Sequence, residues 1–143
     1  MMTQTSIKLK NIYVKKLSKI NNKIKRKYKK IKKHPYYISL LQDNKRKYKK
    51  YIQLSKYQSK KPSVKWEHLV DIYNEISEKG FDFYNTDKII IVKKHGKMVC
   101  IHGKHRICML HLIHGRNTIL QILNNTVVGI VSDSDGIVAS DSH

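Results

Sequence analysis

The sequence predicts an α+β fold, in which a small mixed sheet carries flanking helices and is preceded by a basic helical arm. Three observations lead to this prediction. Residues 62–131 alternate between helical and strand patterns, in the order helix, strand, strand, loop, helix, strand. Residues 1–61 combine helical spacing of apolar residues with many lysines. The length of 143 residues leaves room for one domain and an additional segment.

The arm is expected to form two helices. Apolar residues in its first part recur in steps of three and four, which predicts a basic amphipathic helix that ends before His34-Pro35. A second, Tyr-rich helix is predicted from Tyr36 to Tyr57. The apolar positions of the first helix are Tyr13, Leu17, Ile20, Ile24, Tyr28 and Ile31.

The elements of the domain are separated by turn and stop signals. Pro62-Ser63 precedes a predicted helix whose apolar stripe runs from Trp66 to Ile76, with Ser63 as its cap and Gly80 as its stop. The elements predicted after it are a strand over residues 88–93, a turn at His95-Gly96, a strand over residues 98–101, a helix over residues 105–114 that ends at Gly115, and strands over residues 118–123 and 126–131.

The net positive charge is confined to the first part of the chain. Residues 1–61 contain 21 Lys or Arg and a single acid, Asp43, which accounts for the whole net charge of +20. Residues 62–143 contain nine side chains of each sign. We therefore divide the chain into a basic arm over residues 1–61, a domain over residues 62–131, and an acidic Ser/Asp tail over residues 132–143 that we expect to be disordered.

The arm favours polyanionic partners, because cations release the condensed counterions of nucleic acid and are attracted to anionic membranes. The charge alone does not distinguish these two partners from a solvated lysine-rich surface that reflects codon bias. The tyrosines between the cations either stack on bases or pack the second helix against the domain. The cations that we assign to a polyanion-binding surface are Lys23, Lys25, Arg26, Lys27, Lys29, Lys30, Lys32, Lys33 and Arg46.

Cysteine usage and hydropathy indicate a cytoplasmic protein. Cys100 and Cys108 do not form a CxxC pair, so neither a disulfide framework nor a cysteine-rich zinc site is predicted. The chain contains no apolar run of about 18 residues, so we expect no transmembrane segment. Metal binding by histidines is not predicted either, since no cysteine pair or carboxylate stands at ligand spacing beside His95, His102, His105, His111 and His114.

The candidate site is the segment His102-Gly103-Lys104-His105-Arg106, at the start of the helix over residues 105–114. The glycine lets the backbone turn closely, and the free amides at a helix start favour an anion. Arg106 can hold two oxygens, His105 can donate a hydrogen bond or carry a proton, and Lys104 adds a mobile charge. The segment therefore predicts a phosphate-binding site.

In its context this segment resembles the ParB/sulfiredoxin superfamily, and in particular its small bacterial members that carry a DGxHR loop between a strand and a helix. Val99–Ile101 corresponds to the strand, residues 102–106 to the loop, and Ile107–Gly115 to the helix and its stop. Lys79-Gly80-Phe81-Asp82 matches the upstream helix end. The resemblance implies binding of ATP or another nucleotide, with Mg²⁺ as a candidate cofactor and with the phosphates held by the loop.

Two positions depart from the family pattern. Sulfiredoxin has its reactive cysteine where this chain has Lys104, so repair of cysteine sulfinate is not expected. His102 replaces an aspartate that could orient a metal or a base, which weighs against phosphotransfer. If phosphotransfer occurs, the candidate catalytic residues are His105 and the carboxylates Asp82 and Asp87, which precede the first strand of the domain.

Three functions remain open at this point. The first is ATP-type nucleotide binding, with phosphotransfer to a small molecule as a narrower version. The second is nucleic-acid binding through the basic residues 1–61. The third, which rests on the resemblance, is an accessory role in polysaccharide synthesis at the membrane surface. Nucleotide binding should depend on Arg106, whereas polyanion binding should depend on the arm and fall steeply with salt. The sequence does not define the oligomeric state.

Overall fold

The described part of the chain contains seven strands, four α-helices and two short 3₁₀ turns. The structure is a computed structural model that describes residues 4–56, 64–84 and 87–132. The strands are β1 (Gln4–Lys8), β2 (Ile12–Ile20), β3 (Lys23–Lys30), β4 (Ile90–Lys94), β5 (Lys97–His102), β6 (Ile119–Leu123) and β7 (Thr126–Val131). The helices are α1 (Pro35–Gln42), α2 (Lys45–Lys56), α3 (Trp66–Lys79) and α4 (Lys104–His114).

All seven strands belong to one mixed sheet. Their order is β1-β6-β7-β4-β5-β2-β3. Neighbouring strands are antiparallel, except that β2 and β5 are parallel. Helix α4 follows β5 directly and packs against α1 and α3. The predicted α+β class, with a mixed sheet and flanking helices, is confirmed.

The predicted basic helix over residues 13–31 is wrong, because these residues form the β2–β3 hairpin. Asn21 and Asn22 connect the strands, and both have positive φ, at 52° and 62°. Two such residues form the turn whose twist matches a hairpin, and asparagine tolerates this conformation. Parallel pairing of β2 with β5 joins the hairpin to the rest of the sheet, and Ile12 and Val14 are fully buried there. The segment is therefore a strand because of its tertiary pairing, although its apolar residues follow a helical period.

The division into a basic helical arm and a separate domain is corrected as well. Strands β1, β2 and β3 lie within residues 1–61, yet they extend the sheet formed by β4–β7. Strand β1 pairs with β6 from Gln4↔Leu123 to Lys8↔Ile119, and β2 pairs with β5. The first 30 residues therefore supply both outer strands of the sheet. The predicted acidic tail falls, except for Ser132, outside the described residues.

The remaining predicted elements are found close to their expected positions. The single helix predicted from Tyr36 to Tyr57 is divided into α1 and α2, because Asp43 adopts a left-handed backbone conformation that ends α1. Tyr48 and Tyr51 pack into the core at 1% and 5% exposure. Helix α3 ends at Gly80 as predicted, while the N-cap position is occupied by Lys65 and Ser63 falls outside the described residues. The β4–β5 hairpin, α4, β6 and β7 lie within two residues of their predicted bounds.

The core lies where α4 packs between the sheet and the other helices. Ile107, Cys108, Met109 and Leu110 of α4 are all fully buried, and they belong to one apolar cluster with residues of β2, β4, β6, α2 and α3. Because α4 is buried along four consecutive residues, its amino terminus is held firmly relative to β5. Within the described ranges, no helix is long and apolar enough to cross a membrane.

Candidate functional site

The loop between β5 and α4 has a geometry that requires glycine. Gly103 is the N-cap of α4 and has φ 88° and ψ 31°. A Cβ atom at this position would lie 2.8 Å from Cγ1 of Ile89 and 3.0 Å from its Cα. The first helical hydrogen bond runs from the Ile107 N–H to the Gly103 carbonyl at 2.9 Å. No side chain caps the helix start, so the amides of its first turn are directed at the space in front of the loop.

Lys104 is partly buried and lies among other cations. Burial lowers the pKa of its ammonium group, and the nearby charge of Lys15 lowers this pKa further. Lys104 contributes to an open cleft of about 500 Å³ between the β2–β3 hairpin, β5 and the end of β4. The residues that line this cleft are Lys15, Arg26, Lys27, Tyr28, Lys94, Val99, Cys100, Ile101 and Lys104. Five of these nine side chains are cationic and none is acidic, so the cleft is suited to an anion.

His105 packs against the side chains of Tyr36 and Tyr48. Its ring stacks on Tyr36, with a centroid distance of 4.0 Å and an interplanar angle of 22°. Its Nε2 lies 3.5 Å from the hydroxyl of Tyr48, which donates a 2.7 Å hydrogen bond to the carbonyl of Val64. Since the hydroxyl proton is used in this bond, the Tyr48 oxygen is left to accept from His105.

The protonation state of His105 follows from this enclosure. Burial lowers the pKa of His105 to about 4, and the charges of Lys104 and Arg106 add to the effect. At neutral pH the imidazole is therefore uncharged. His105 can position its neighbours and donate a hydrogen bond, but it does not add positive charge to the site.

Arg106 is the cation of the loop that has an ionic partner. Its Nη2 lies 3.6 Å from Oδ2 of Asp87, and the side chains are 25% and 73% exposed, respectively. The two atoms are too far apart for a strong hydrogen bond, and Asp87 is largely hydrated. The other predicted carboxylate, Asp82, accepts a hydrogen bond from the backbone of Tyr84 at 2.9 Å. His102 is exposed at the end of β5.

His34 is a part of the site that sequence reasoning did not assign. It is fully buried, and its Nδ1 accepts a 3.0 Å hydrogen bond from the Tyr36 backbone, so it caps α1. Burial is the main reason why the pKa of His34 lies well below its usual value, followed by the charges of Lys104 and His105. In the sequence, the only indication of a role for His34 is its place in the segment His34-Pro35-Tyr36-Tyr37. This segment contacts the loop only in the tertiary fold, so the sequence alone did not place His34 at the site.

The cysteines are packing residues. Cys100 and Cys108 are both buried and carry free thiols. Burial raises the pKa of Cys100 to about 12 and also raises that of Cys108, so both thiols stay protonated at neutral pH. Cys108 is a core residue, with no exposed surface.

The predicted polyanion-binding cations are spread over three elements. Six of them lie on β3, Lys32 and Lys33 lie in a single 3₁₀ turn after it, and Arg46 lies on α2. They do not form one helix face. Arg26 and Lys27 join the cleft beside Lys104, a proximity that the helical prediction for this segment did not foresee. Among the described residues, no group of three or more His, Cys, Asp or Glu side chains is placed to hold a metal ion.

Comparison of the chain with protein-family models, curated proteins and solved structures found no match.

Proposed function

We propose that the protein binds a nucleotide, with its phosphates in the cleft beside the amino terminus of α4. The observation that carries this proposal is the position of Lys104, which belongs to the loop and also lines a cleft with four further cations and no acid. A phosphate group in this cleft would meet cations from the loop, from the β2–β3 hairpin and from β4. It would also lie near the uncapped start of a helix, which favours anions.

The buried state of Lys104 supports an anionic ligand. An ammonium group that lies beside a second cation and is partly shielded from water is unfavourable, and the lowered pKa of Lys104 reflects this cost. A phosphate in the cleft would offset the repulsion between Lys104 and Lys15. We therefore expect ligand binding to raise the pKa of Lys104, and binding at alkaline pH to be accompanied by uptake of a proton.

The guanidinium group of Arg106 can leave Asp87 and bind a phosphate instead. Its contact with Asp87 is long and solvent-exposed on the carboxylate side, so little free energy is lost when it breaks. A phosphate can accept two parallel hydrogen bonds from the same guanidinium group. Arg106 does not itself line the cleft, so it would reach the ligand by turning away from Asp87.

The cleft also offers a surface for a base. Tyr28, Val99 and Ile101 line it together with the cations, and aromatic rings stack on bases of any identity. The resemblance of the loop to the DGxHR loop makes ATP the first nucleotide to test. Magnesium is part of the proposal as an ion carried by the phosphates, since this ion is usually bound through phosphate oxygens and few protein ligands.

Phosphotransfer is a narrower form of the proposal. Of the predicted catalytic residues, Asp87 is the carboxylate that contacts the loop, through Arg106. A chemical step would require Asp87 to leave Arg106 and accept the proton of an acceptor hydroxyl. The uncharged His105 would keep Arg106 and Lys104 in position and would not act as the base, because its ring is enclosed by Tyr36 and Tyr48 and does not line the cleft.

The experiment is isothermal titration calorimetry of the full chain with ATP, ADP, CTP and GTP, each with and without magnesium. Arg106→Ala and Lys104→Met should each weaken binding by about 10- to 100-fold, the usual loss for one charge-assisted hydrogen bond. Lys79→Met, at an exposed position on α3, is the matched control and should bind as the wild type does. A folded wild-type chain that binds none of the four nucleotides would refute the proposal.

A further inference from the structure

The β2–β3 hairpin extends beyond the rest of the sheet. Strand β2 pairs with β5 only from Ile12 to Val14, whereas it pairs with β3 from Tyr13 to Ile20. The hydrogen bond from the Leu17 N–H to the Tyr51 hydroxyl, at 3.0 Å, is the last that we find tying β2 to the described helices. Residues 18–25 beyond this point form a two-stranded ribbon, which we call the basic ribbon.

One face of strand β3 is a row of lysines. Lys23, Lys25, Lys27 and Lys29 alternate along the strand, so they share a face, and all four are exposed. Their spacing along the strand is about 6.8 Å, twice the rise per residue. The opposite face is partly covered by the protein, since Ile24 is half-buried there and Leu17, which pairs with Arg26 on the same face, is 5% exposed. Residues 12–30 contain nine cations and no acid.

We infer that this lysine face and the basic ribbon bind duplex DNA through its backbone phosphates, with the ribbon in the major groove. A periodic row of cations matches a regular polyanion better than it matches one small ligand. Two paired strands with their side chains fit a groove about 12 Å wide, and ribbons of this kind are known groove-binding elements. This surface meets the proposed nucleotide site at Lys27, which lines that cleft, whereas Lys23, Lys25 and Lys29 do not line it.

Two features favour duplex DNA over other polyanions. The ribbon carries no aromatic ring between Lys15 and Lys27, and stacking rings are what binding to single-stranded nucleic acid usually requires. Its exposed large apolar side chain is Ile20, at 43%, which gives too small a patch to enter a membrane. Because lysine provides charge without base-specific geometry, binding should be independent of sequence.

The test measures fluorescence anisotropy of a labelled DNA duplex of about 20 base pairs, two helical turns, with the full-length protein over a range of salt concentrations. The variant K23Q/K25Q/K29Q removes three charges from the lysine face. The matched control K47Q/K79Q/K93Q removes three exposed lysines from α2, α3 and β4. Both variants have the same net charge, so any difference between them reports position.

We expect K23Q/K25Q/K29Q to bind at least about tenfold more weakly and to lower the slope of log affinity against log salt by about 3. The control should remain close to the wild type, and both variants should keep nucleotide binding, which separates this test from the previous one. An equal loss in both variants, or no loss in either, would overturn the inference. So would tighter binding of the wild type to a single-stranded oligonucleotide, or to vesicles of phosphatidylcholine and phosphatidylserine, than to the duplex.

Discussion

His105→Phe should change how the stability of the protein depends on pH. In the wild type the pKa of His105 is about 4, whereas the unfolded chain has the ordinary value of 6.5. As the pH falls below 6.5, the unfolded chain takes up a proton at His105 and the folded protein does not. The folded state therefore loses stability between pH 6.5 and pH 4. Phenylalanine keeps a ring that can stack on Tyr36, but it cannot be protonated.

The size of this effect follows from the pKa difference. The whole difference corresponds to about 3 kcal/mol at pH values below 4. Between pH 7 and pH 5, His105 alone should lower the free energy of unfolding of the wild type by about 2 kcal/mol. The variant should lack this contribution, although it will be less stable at pH 7 because the contact with Tyr48 is lost.

Urea unfolding at pH 7, 6 and 5 measures the effect. Trp66 is buried beside Tyr48, with ring centroids 5.5 Å apart, so its fluorescence reports unfolding at the site. The quantity to compare is the loss of stability from pH 7 to pH 5 in each protein. His68→Gln, at an exposed position on α3, controls for the removal of a histidine. If His105→Phe and the wild type lose the same stability over this range, the proposed enclosure of His105 is refuted.

Two further substitutions test how the loop is held. Gly103→Ala should lower the free energy of unfolding by about 2 kcal/mol or more, because alanine is strained at φ 88° and its Cβ would lie 2.8 Å from Ile89; an unchanged melting temperature in a thermal scan would contradict this geometry. Tyr48→Phe should cost about 1–2 kcal/mol in urea unfolding, since it leaves the carbonyl of Val64 without its 2.7 Å hydrogen bond. A variant as stable as the wild type would show that water replaces the hydroxyl.

The sequence predicted the elements whose boundaries are set by local chemistry. Helix α3 ends at Gly80, α4 ends at Gly115, and His95-Gly96 forms the predicted turn between β4 and β5. Each of these signals depends on backbone conformation within a few residues, such as positive φ at the glycines. The candidate loop could be located for the same reason, since its glycine and its cations are adjacent in the chain.

The hairpin could not be predicted from apolar spacing alone. The positions of Tyr13, Leu17 and Ile24 satisfy a helical period, yet β2 is held as a strand by pairing with β5, more than 80 residues later in the chain. Asn21-Asn22 is a local turn signal that the prediction of a continuous helix did not use. The contact between Tyr48 and His105 was not predicted for a similar reason, because these residues are 57 positions apart in sequence.

The two outer strands of the sheet, β1 and β3, both come from the first 30 residues, and this has a consequence for folding. During synthesis, β1 cannot pair until β6 has been made, because Gln4 pairs with Leu123 near the end of the described chain. Until then the amino-terminal strands cannot pair with β5 or β6. The lysines on these unpaired strands oppose edge-to-edge association with other chains. Such long-range pairing slows folding relative to small helical bundles, whose contacts are mostly local. We therefore expect the sheet to be completed only after β6 and β7 have left the ribosome.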